Sequence, residues 1–202
     1  MNVYYRNETL EAIARNIITQ YDPSLLSEPA PIPVEVMIEK MYGLTLEFQF
    51  IRNNGRILGE TVFEDTPVPI YERENHEGYK LVPVKAGTVI IDASLINCRK
   101  DGRFRYTCAH ELAHYVIHKS FYMQLGETAA MTRTVKSSDA DAKIERQADR
   151  LAGYLLMPKG TVKMAYHRNR HIQSDIVAFL ADLFAVSNQA MEIRLKEMGL
   201  LA

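Results

Sequence analysis

The sequence has few cysteines, no excess of charge and no long apolar run. Its two cysteines, Cys98 and Cys108, form neither a CxxC pair nor a disulfide framework, which indicates a reducing compartment. Twenty-four basic residues balance 25 acidic ones, so a surface dominated by nucleic-acid or anionic-membrane binding is disfavoured. No window approaches eighteen uncharged apolar residues, and the N-terminus lacks the features of a signal peptide. We therefore expect a cytoplasmic protein that makes no membrane contact.

Internal repeats and low-complexity tracts are also lacking, so the chain is interpreted as successive elements of one fold. Its 202 residues suit one domain with a small appendage. We expect a main domain over residues 1–160, in which residues 1–30 form an N-terminal helix and a proline-rich connector. Residues 161–202 are expected to form a helical C-terminal module.

Hydrophobic periodicity divides the chain into helices, then strands, then helices again. Helical spacing of apolar residues predicts helices over residues 7–21 and 34–41. Residues 44–51 and 56–63 alternate apolar and polar side chains around a strong turn signal, a pattern typical of a hairpin. Further short strands are expected at residues 68–71, 79–84 and 88–92. The predicted class is α+β, with a small, mostly antiparallel sheet.

One run in the second helical part carries a metal-binding pattern, H-E-x-x-H, from His110 to His114. Residues four apart on a helix lie about 40° apart around its axis, so both imidazoles project together and can share Zn²⁺. Glu111 lies about 100° round, where a general base can reach a metal-activated water without displacing it. Cys108 lies on the opposite face and is interpreted as a core residue.

A catalytic zinc ion needs a third protein ligand, and a downstream helical segment offers one. Glu145 and Asp149 share a face with two alanines, which let this helix approach the H-E-x-x-H helix closely. Glu145 is then a candidate ligand, and Asp149 a candidate acceptor for the outward N–H of a liganding histidine. The alternative ligand, a histidine six residues after His114, is absent because that position is Ser120.

Several other residues near these segments are open to two interpretations. His118 lies eight residues past His110, where it has rotated and risen by two turns, so a place outside the site is favoured. The residue that stabilises an oxyanion is not identified, since Tyr154, His167 and His171 are all candidates. The polar segment over residues 120–142 is either a surface loop or a flap beside the site.

The C-terminal segment predicts a helix, a short turn and a second helix capped by Ser187. A DNA-reading helix-turn-helix is one interpretation of this pattern. The second helix carries only Arg194 and Lys196 as basic residues, offset by Glu192 and Glu197, whereas phosphate contacts need a surplus. Direct nucleic-acid binding is therefore disfavoured, and we interpret the segment as a helical module that supports the core or docks a protein.

Two motifs together resemble the ImmA/IrrE family of zinc metallopeptidases. They are R-x-R-x-T-x-A-H-E-x-x-H at residues 103–114 and E-x-x-A-D-x-x-A-x-x-L-L-M-P at residues 145–158. The resemblance implies a zincin-like core, in which the sheet packs against the H-E-x-x-H helix. It also implies a site in which Zn²⁺ is bound by His110, His114 and Glu145, with Glu111 as the catalytic base. The spacing of Glu145 and Asp149 is similar to that in thermolysin-like enzymes, which supports the orienting role of Asp149.

The resemblance also implies a function and a partner. Members of the family are associated with phage and integrative mobile elements, where they cleave or inactivate a helix-turn-helix repressor encoded nearby. The implied activity is thus zinc-dependent endopeptidase cleavage of such a repressor. The main rival hypothesis is a non-proteolytic regulatory protein that sequesters a partner or belongs to a toxin–antitoxin pair. The intact Glu111 favours the enzyme, because a pure binder needs only the metal ligands.

Overall fold

The computed structural model describes residues 4–51, 57–72, 78–96, 102–125 and 139–201, and it has the predicted α+β fold. The helices are α1 (Asn7–Tyr21), α2 (Val34–Val36, continued by a π-helical turn at Met37–Met41), α3 (Arg103–Ala113), α4 (Lys119–Leu125), α5 (Asp139–Leu156), α6 (Lys159–Asn169), α7 (Ile176–Phe184) and α8 (Asn188–Glu197). The strands are β1 (Thr45–Gln49), β2 (Gly59–Val62), β3 (Thr66–Glu72), β4 (Gly78–Val84) and β5 (Thr88–Asp92). A second π-helical turn, His114–His118, joins α3 to α4. Within the described ranges, no single helix is long and apolar enough to cross a membrane.

Helix α1 has the bounds that hydrophobic periodicity predicts. Its buried residues recur at helical spacing: Leu10, Ala14, Ile17 and Ile18. The helix ends at Tyr21 because Pro23 disfavours helical backbone at Asp22, which is extended at φ −159° and ψ 105°. The sequence pattern and the backbone restriction before Pro23 therefore agree at the C-terminal end of this helix.

The strands form two sheets, and the predicted hairpin between the first two strands is wrong. Strand β5 lies between β1 and β2, parallel to β1 and antiparallel to β2, while β3 and β4 form a separate antiparallel pair. All five residues of β5 are buried. A strand that is apolar on both faces is stabilised at the centre of a sheet, so β1 and β2 take its two sides. The turn signal at residues 53–55 lies outside the described residues.

Helix α3 is held between the sheet and helix α5. It packs against β2 and β5 on one side and against α5 on the other. The contact with α5 is close because small buried residues come from both helices: Ala109, Ala113, Ala148 and Ala152. Cys108 is fully buried in the same core, as its position on the helix predicts. This packing fixes the helix that carries the H-E-x-x-H residues.

Gly102 ties the start of α3 to the C-terminal helices. Its φ is +69°, and a Cβ built there would lie 2.6 Å from backbone atoms of Val186 and Ser187. Glycine adopts this conformation without a steric cost and leaves room for the close approach. The turn between α7 and α8 is therefore seated against the beginning of the site helix.

The C-terminal helices α7 and α8 meet at 107° across a three-residue turn. Ser187 caps α8 as predicted, since its hydroxyl oxygen accepts a hydrogen bond from the Ala190 N–H at 3.2 Å. Buried residues of both helices, Phe184 and Met191 among them, belong to the same hydrophobic cluster as α1 and α3. The division of the chain at residue 160 stays a prediction.

Arg194 of α8 is a structural residue and not a phosphate contact. Its side chain is only 3% exposed. The Nε atom donates a hydrogen bond to the Met157 carbonyl oxygen at 3.0 Å, and Nη2 lies 2.7 Å from Glu11 Oε1. The guanidinium also lies 4.3 Å over the Tyr154 ring. One side chain thus joins α8 to α1 and to the end of α5.

We expect Arg194→Ala to lower the free energy of unfolding by about 3 kcal/mol, because it removes the hydrogen bond to Met157, the packing over Tyr154 and the ion pair with the partly buried Glu11. Lys196→Ala is the matched control, since it removes an exposed ion pair with Glu192 at 2.9 Å on the same helix. We expect that control to cost about 0.5 kcal/mol or less. Urea denaturation of both variants makes the comparison, and equal losses would contradict the structural role of Arg194.

Candidate metal centre

Helices α3 and α5 and the π-helical turn bring His110, His114 and Glu145 together. One ligand atom from each residue lies within 4.8 Å of the others. The two Nε2 atoms of the histidines are 3.0 Å apart. The Glu145 carboxylate oxygens lie 3.5 Å from His110 Nε2 and 3.6 Å from His114 Nε2. These three residues are called the metal cluster below.

The metal cluster fits a tetrahedral metal ion. Nitrogen and oxygen donors at 2.0–2.1 Å from zinc in tetrahedral geometry lie about 3.3–3.4 Å from one another. The observed separations of 3.0, 3.5 and 3.6 Å fall close to that spacing. Two imidazoles and one carboxylate leave a fourth position for water, as catalytic zinc sites do. The described residues can therefore hold a metal ion here.

Asp149 lies on the outer side of His110. Its Oδ1 atom is 2.9 Å from His110 Nδ1, so it can accept the hydrogen bond from that ring nitrogen. The opposite nitrogen, Nε2, then faces the metal cluster, and in the neutral ring it offers its lone pair to a metal ion. The Tyr106 hydroxyl donates to the main-chain oxygen of Asp149 at 3.0 Å, which ties α3 to α5 at the same place. This geometry suits the orienting role predicted for Asp149.

The carboxylates around the metal cluster produce a negative potential. Burial by itself lowers the pKa of His110, but hydrogen bonds to Asp149 and Glu145 and the nearby charge of Glu111 outweigh it and raise that pKa to about 10. Burial raises the pKa of the Tyr106 hydroxyl, and the charge of Asp149 acts in the same direction. A site that stabilises positive charge so strongly also attracts a cation.

Glu111 is buried against strand β2, with only 6% of its surface exposed. The Thr61 hydroxyl lies 2.8 Å from Glu111 Oε2 and 3.1 Å from the Glu111 main-chain oxygen, and can donate to either. A Cβ built at Gly59 would lie 2.7 Å from both Cγ and Oε1 of Glu111. Strand β2 therefore positions this carboxylate through Gly59 and Thr61, two residues that no motif in the sequence points to. The available signal was a glycine inside a strand, which marks close approach.

His118 lies directly beside His114, so the expectation that it lies outside the site is wrong. The two Nδ1 atoms are 3.1 Å apart, and the His118 side chain is fully buried. Burial lowers the pKa of His118 to about 4, which keeps its ring neutral. Two α-helical turns would rotate His118 by about 80° from His110, but residues His114–His118 form a π-helical turn instead. A π turn holds more residues than an α turn, so a residue four positions on is rotated less.

The candidate oxyanion residues do not join the metal cluster within the part of the chain that the structure describes. Tyr154 is buried in the core beneath Arg194. His167 is exposed on α6 with its ring beside Tyr166, and His171 is exposed just after that helix. Both ends of the predicted loop or flap over residues 120–142 are helical, since residues 120–125 belong to α4 and residues 139–142 to α5, whereas residues 126–138 lie outside the described residues.

Both segments of the two-part motif lie within a region that matches a known protein family. The model of a peptidase family described as the IrrE N-terminal-like domain matches residues 95–196, just over half of the chain. This match contains the entire metal cluster and continues into α8, beyond residue 158, where the sequence resemblance ends. No curated protein matches the sequence.

One solved structure, a Mycobacterium tuberculosis transcriptional regulator, is similar to this chain with a TM-score of 0.56 and 14% identity. The similar region covers 94% of this chain and 46% of the regulator. At this identity the likeness concerns the fold alone. The chain spans less than half the length of that regulator.

Proposed function

Because the chain belongs to the peptidase family of the IrrE N-terminal-like domain, we propose that it is a zinc-dependent metalloendopeptidase. The observation that carries the proposal is the metal cluster of His110, His114 and Glu145 together with Glu111, a buried carboxylate whose charge acts on His110. The proposed substrate is a helix-turn-helix repressor of a phage or integrative element.

The chain's own residues divide the chemistry of peptide hydrolysis among them. When bound, Zn²⁺ supplies Lewis acidity, which polarises the scissile carbonyl and lowers the pKa of water. Glu111 accepts the proton of the attacking water and later delivers it to the leaving amine. Thr61 keeps the Glu111 carboxylate in one orientation through its hydroxyl, 2.8 Å from Oε2. Asp149 keeps His110 with Nε2 toward the metal cluster.

The proposed substrate is tested with the helix-turn-helix regulator encoded beside this protein in its genome. The purified regulator is incubated with the zinc-loaded chain and with chelator-treated chain, and intact masses are recorded. We expect two complementary fragments from the zinc-loaded sample alone. An intact regulator that co-purifies with both samples supports the sequestering protein instead. A regulator that is neither cut nor bound contradicts the choice of substrate.

We expect Thr61→Val to reduce kcat about tenfold, because it removes a hydrogen bond to a charged group worth about 1.5 kcal/mol without changing the side chain's shape. Zinc content is expected to stay unchanged, since Thr61 is not one of the three residues of the metal cluster. Thr61→Ser is the matched control and keeps the hydroxyl. Equal loss of kcat in the two variants would show that packing, and not the hydrogen bond, positions Glu111.

A further inference from the structure

We propose that His118 is a positioning residue that holds His114 in the tautomer able to bind a metal ion. The inference rests on the proposed metal site and deepens it. It concerns a residue that the two-part motif does not contain, and it starts from the buried contact between the two rings.

The orientation of His114 requires a proton acceptor on its outer side. His114 Nε2 faces the metal cluster, 3.0 Å from His110 Nε2 and 3.6 Å from Glu145 Oε1. A neutral imidazole carries one N–H, so Nε2 offers a lone pair only when Nδ1 carries the proton. With Nε2 given to a metal ion, the proton of His114 stays on Nδ1, and an acceptor beside Nδ1 stabilises that tautomer.

His118 supplies this acceptor. Its Nδ1 lies 3.1 Å from His114 Nδ1, and the neutral ring accepts there when its own proton is on Nε2. In the described parts of the chain, His118 Nε2 is buried without a hydrogen-bond partner. The contact with His114 is therefore the hydrogen bond that His118 makes in this structure.

The two liganding histidines are thus oriented by different groups. His110 donates outward to a carboxylate, Asp149, on the neighbouring helix. His114 donates outward to an imidazole one turn further along its own helix. The two rings lie one helical turn apart with their centroids 5.1 Å from each other, and the π-helical turn His114–His118 contains both residues. A turn of this kind inside a helix is frequent at functional sites.

The test compares His118→Asn with His118→Leu. The Asn side-chain oxygen can replace Nδ1 as an acceptor, whereas Leu fills the buried space without one. We expect His118→Leu to weaken Zn²⁺ binding by about 10–100-fold, as the loss of an outer hydrogen-bond partner does. His118→Asn is expected to stay within about threefold of the native chain. Zinc affinity is measured by chelator competition, and thermal unfolding of the metal-free proteins reports whether each variant folds.

A second measurement needs no variant. Nitrogen-15 correlation spectra of the metal-free native chain report which ring nitrogen of His114 carries the proton, and we expect Nδ1. A proton on Nε2 would overturn the proposal even if His118→Leu did not fold. Equal losses of affinity in the Asn and Leu variants would also overturn it, because packing alone would then explain them. Zinc affinity and the position of the His114 proton are both measured without a substrate. They therefore test this inference even if the chain does not cleave the regulator.

Discussion

Glu111→Gln is expected to keep the metal and to lower the rate of cleavage by about three orders of magnitude, within the range for loss of a general base. The amide has the shape of the carboxylate, and its oxygen can still accept from the Thr61 hydroxyl. It cannot take up the proton of the attacking water. The metal cluster is unchanged, since it consists of His110, His114 and Glu145. Cleavage rates come from intact masses of the regulator, and metal content from elemental analysis.

The control for Glu111→Gln is Glu192→Gln, which makes the same chemical change on α8. Glu192 pairs with Lys196 on that helix and is half exposed, so we expect native cleavage. Native rates in Glu111→Gln would show that another group takes the proton and that the assigned base is wrong. Loss of metal in Glu111→Gln would show instead that this carboxylate helps to bind the ion.

The residues proposed for the chemistry could be predicted from the sequence, because each pair is set by spacing within a single helix. His110 and His114 are one turn apart, as are Glu145 and Asp149, so helical periodicity alone puts each pair on one face. The small residues between the two helices indicated that α3 and α5 approach closely. Each of these inferences needs only the geometry of a single helix and the size of its side chains.

The residues that position Glu111 could not be predicted from the sequence, because their contacts depend on pairings between distant segments. Gly59 and Thr61 reach Glu111 only because β2 lies beside β5, and local turn signals favoured a hairpin of β1 with β2 instead. The buried character of β5 decides this pairing, and its consequence appears some fifty residues away in α3. His118 was misplaced for a different reason, since a π-helical turn changes the rotation per residue and periodicity assumes 3.6 residues per turn.

Glu145→Ala is expected to weaken Zn²⁺ binding by at least two orders of magnitude. Structural zinc sites with four ligands bind with about 10–16 kcal/mol, or about 3 kcal/mol for each ligand, which corresponds to more than a hundredfold in affinity. Glu145 faces both histidines, at 3.5 and 3.6 Å, so its removal leaves only two nitrogens for the ion. Chelator competition measures the affinity directly.

Asp149→Asn is compared with Glu145→Ala, because we expect it to weaken Zn²⁺ binding less. The Asn oxygen can still accept from His110 Nδ1, but the charge is lost, so we expect a smaller decrease of about tenfold. Zinc should raise the unfolding temperature of the native chain, because an ion that binds only the folded state stabilises it in proportion to the logarithm of its affinity. That increase should be smaller in Asp149→Asn and absent in Glu145→Ala at the same zinc concentration. Native affinity in Glu145→Ala together with loss of binding in Asp149→Asn would reverse the two roles and make Asp149 the third ligand.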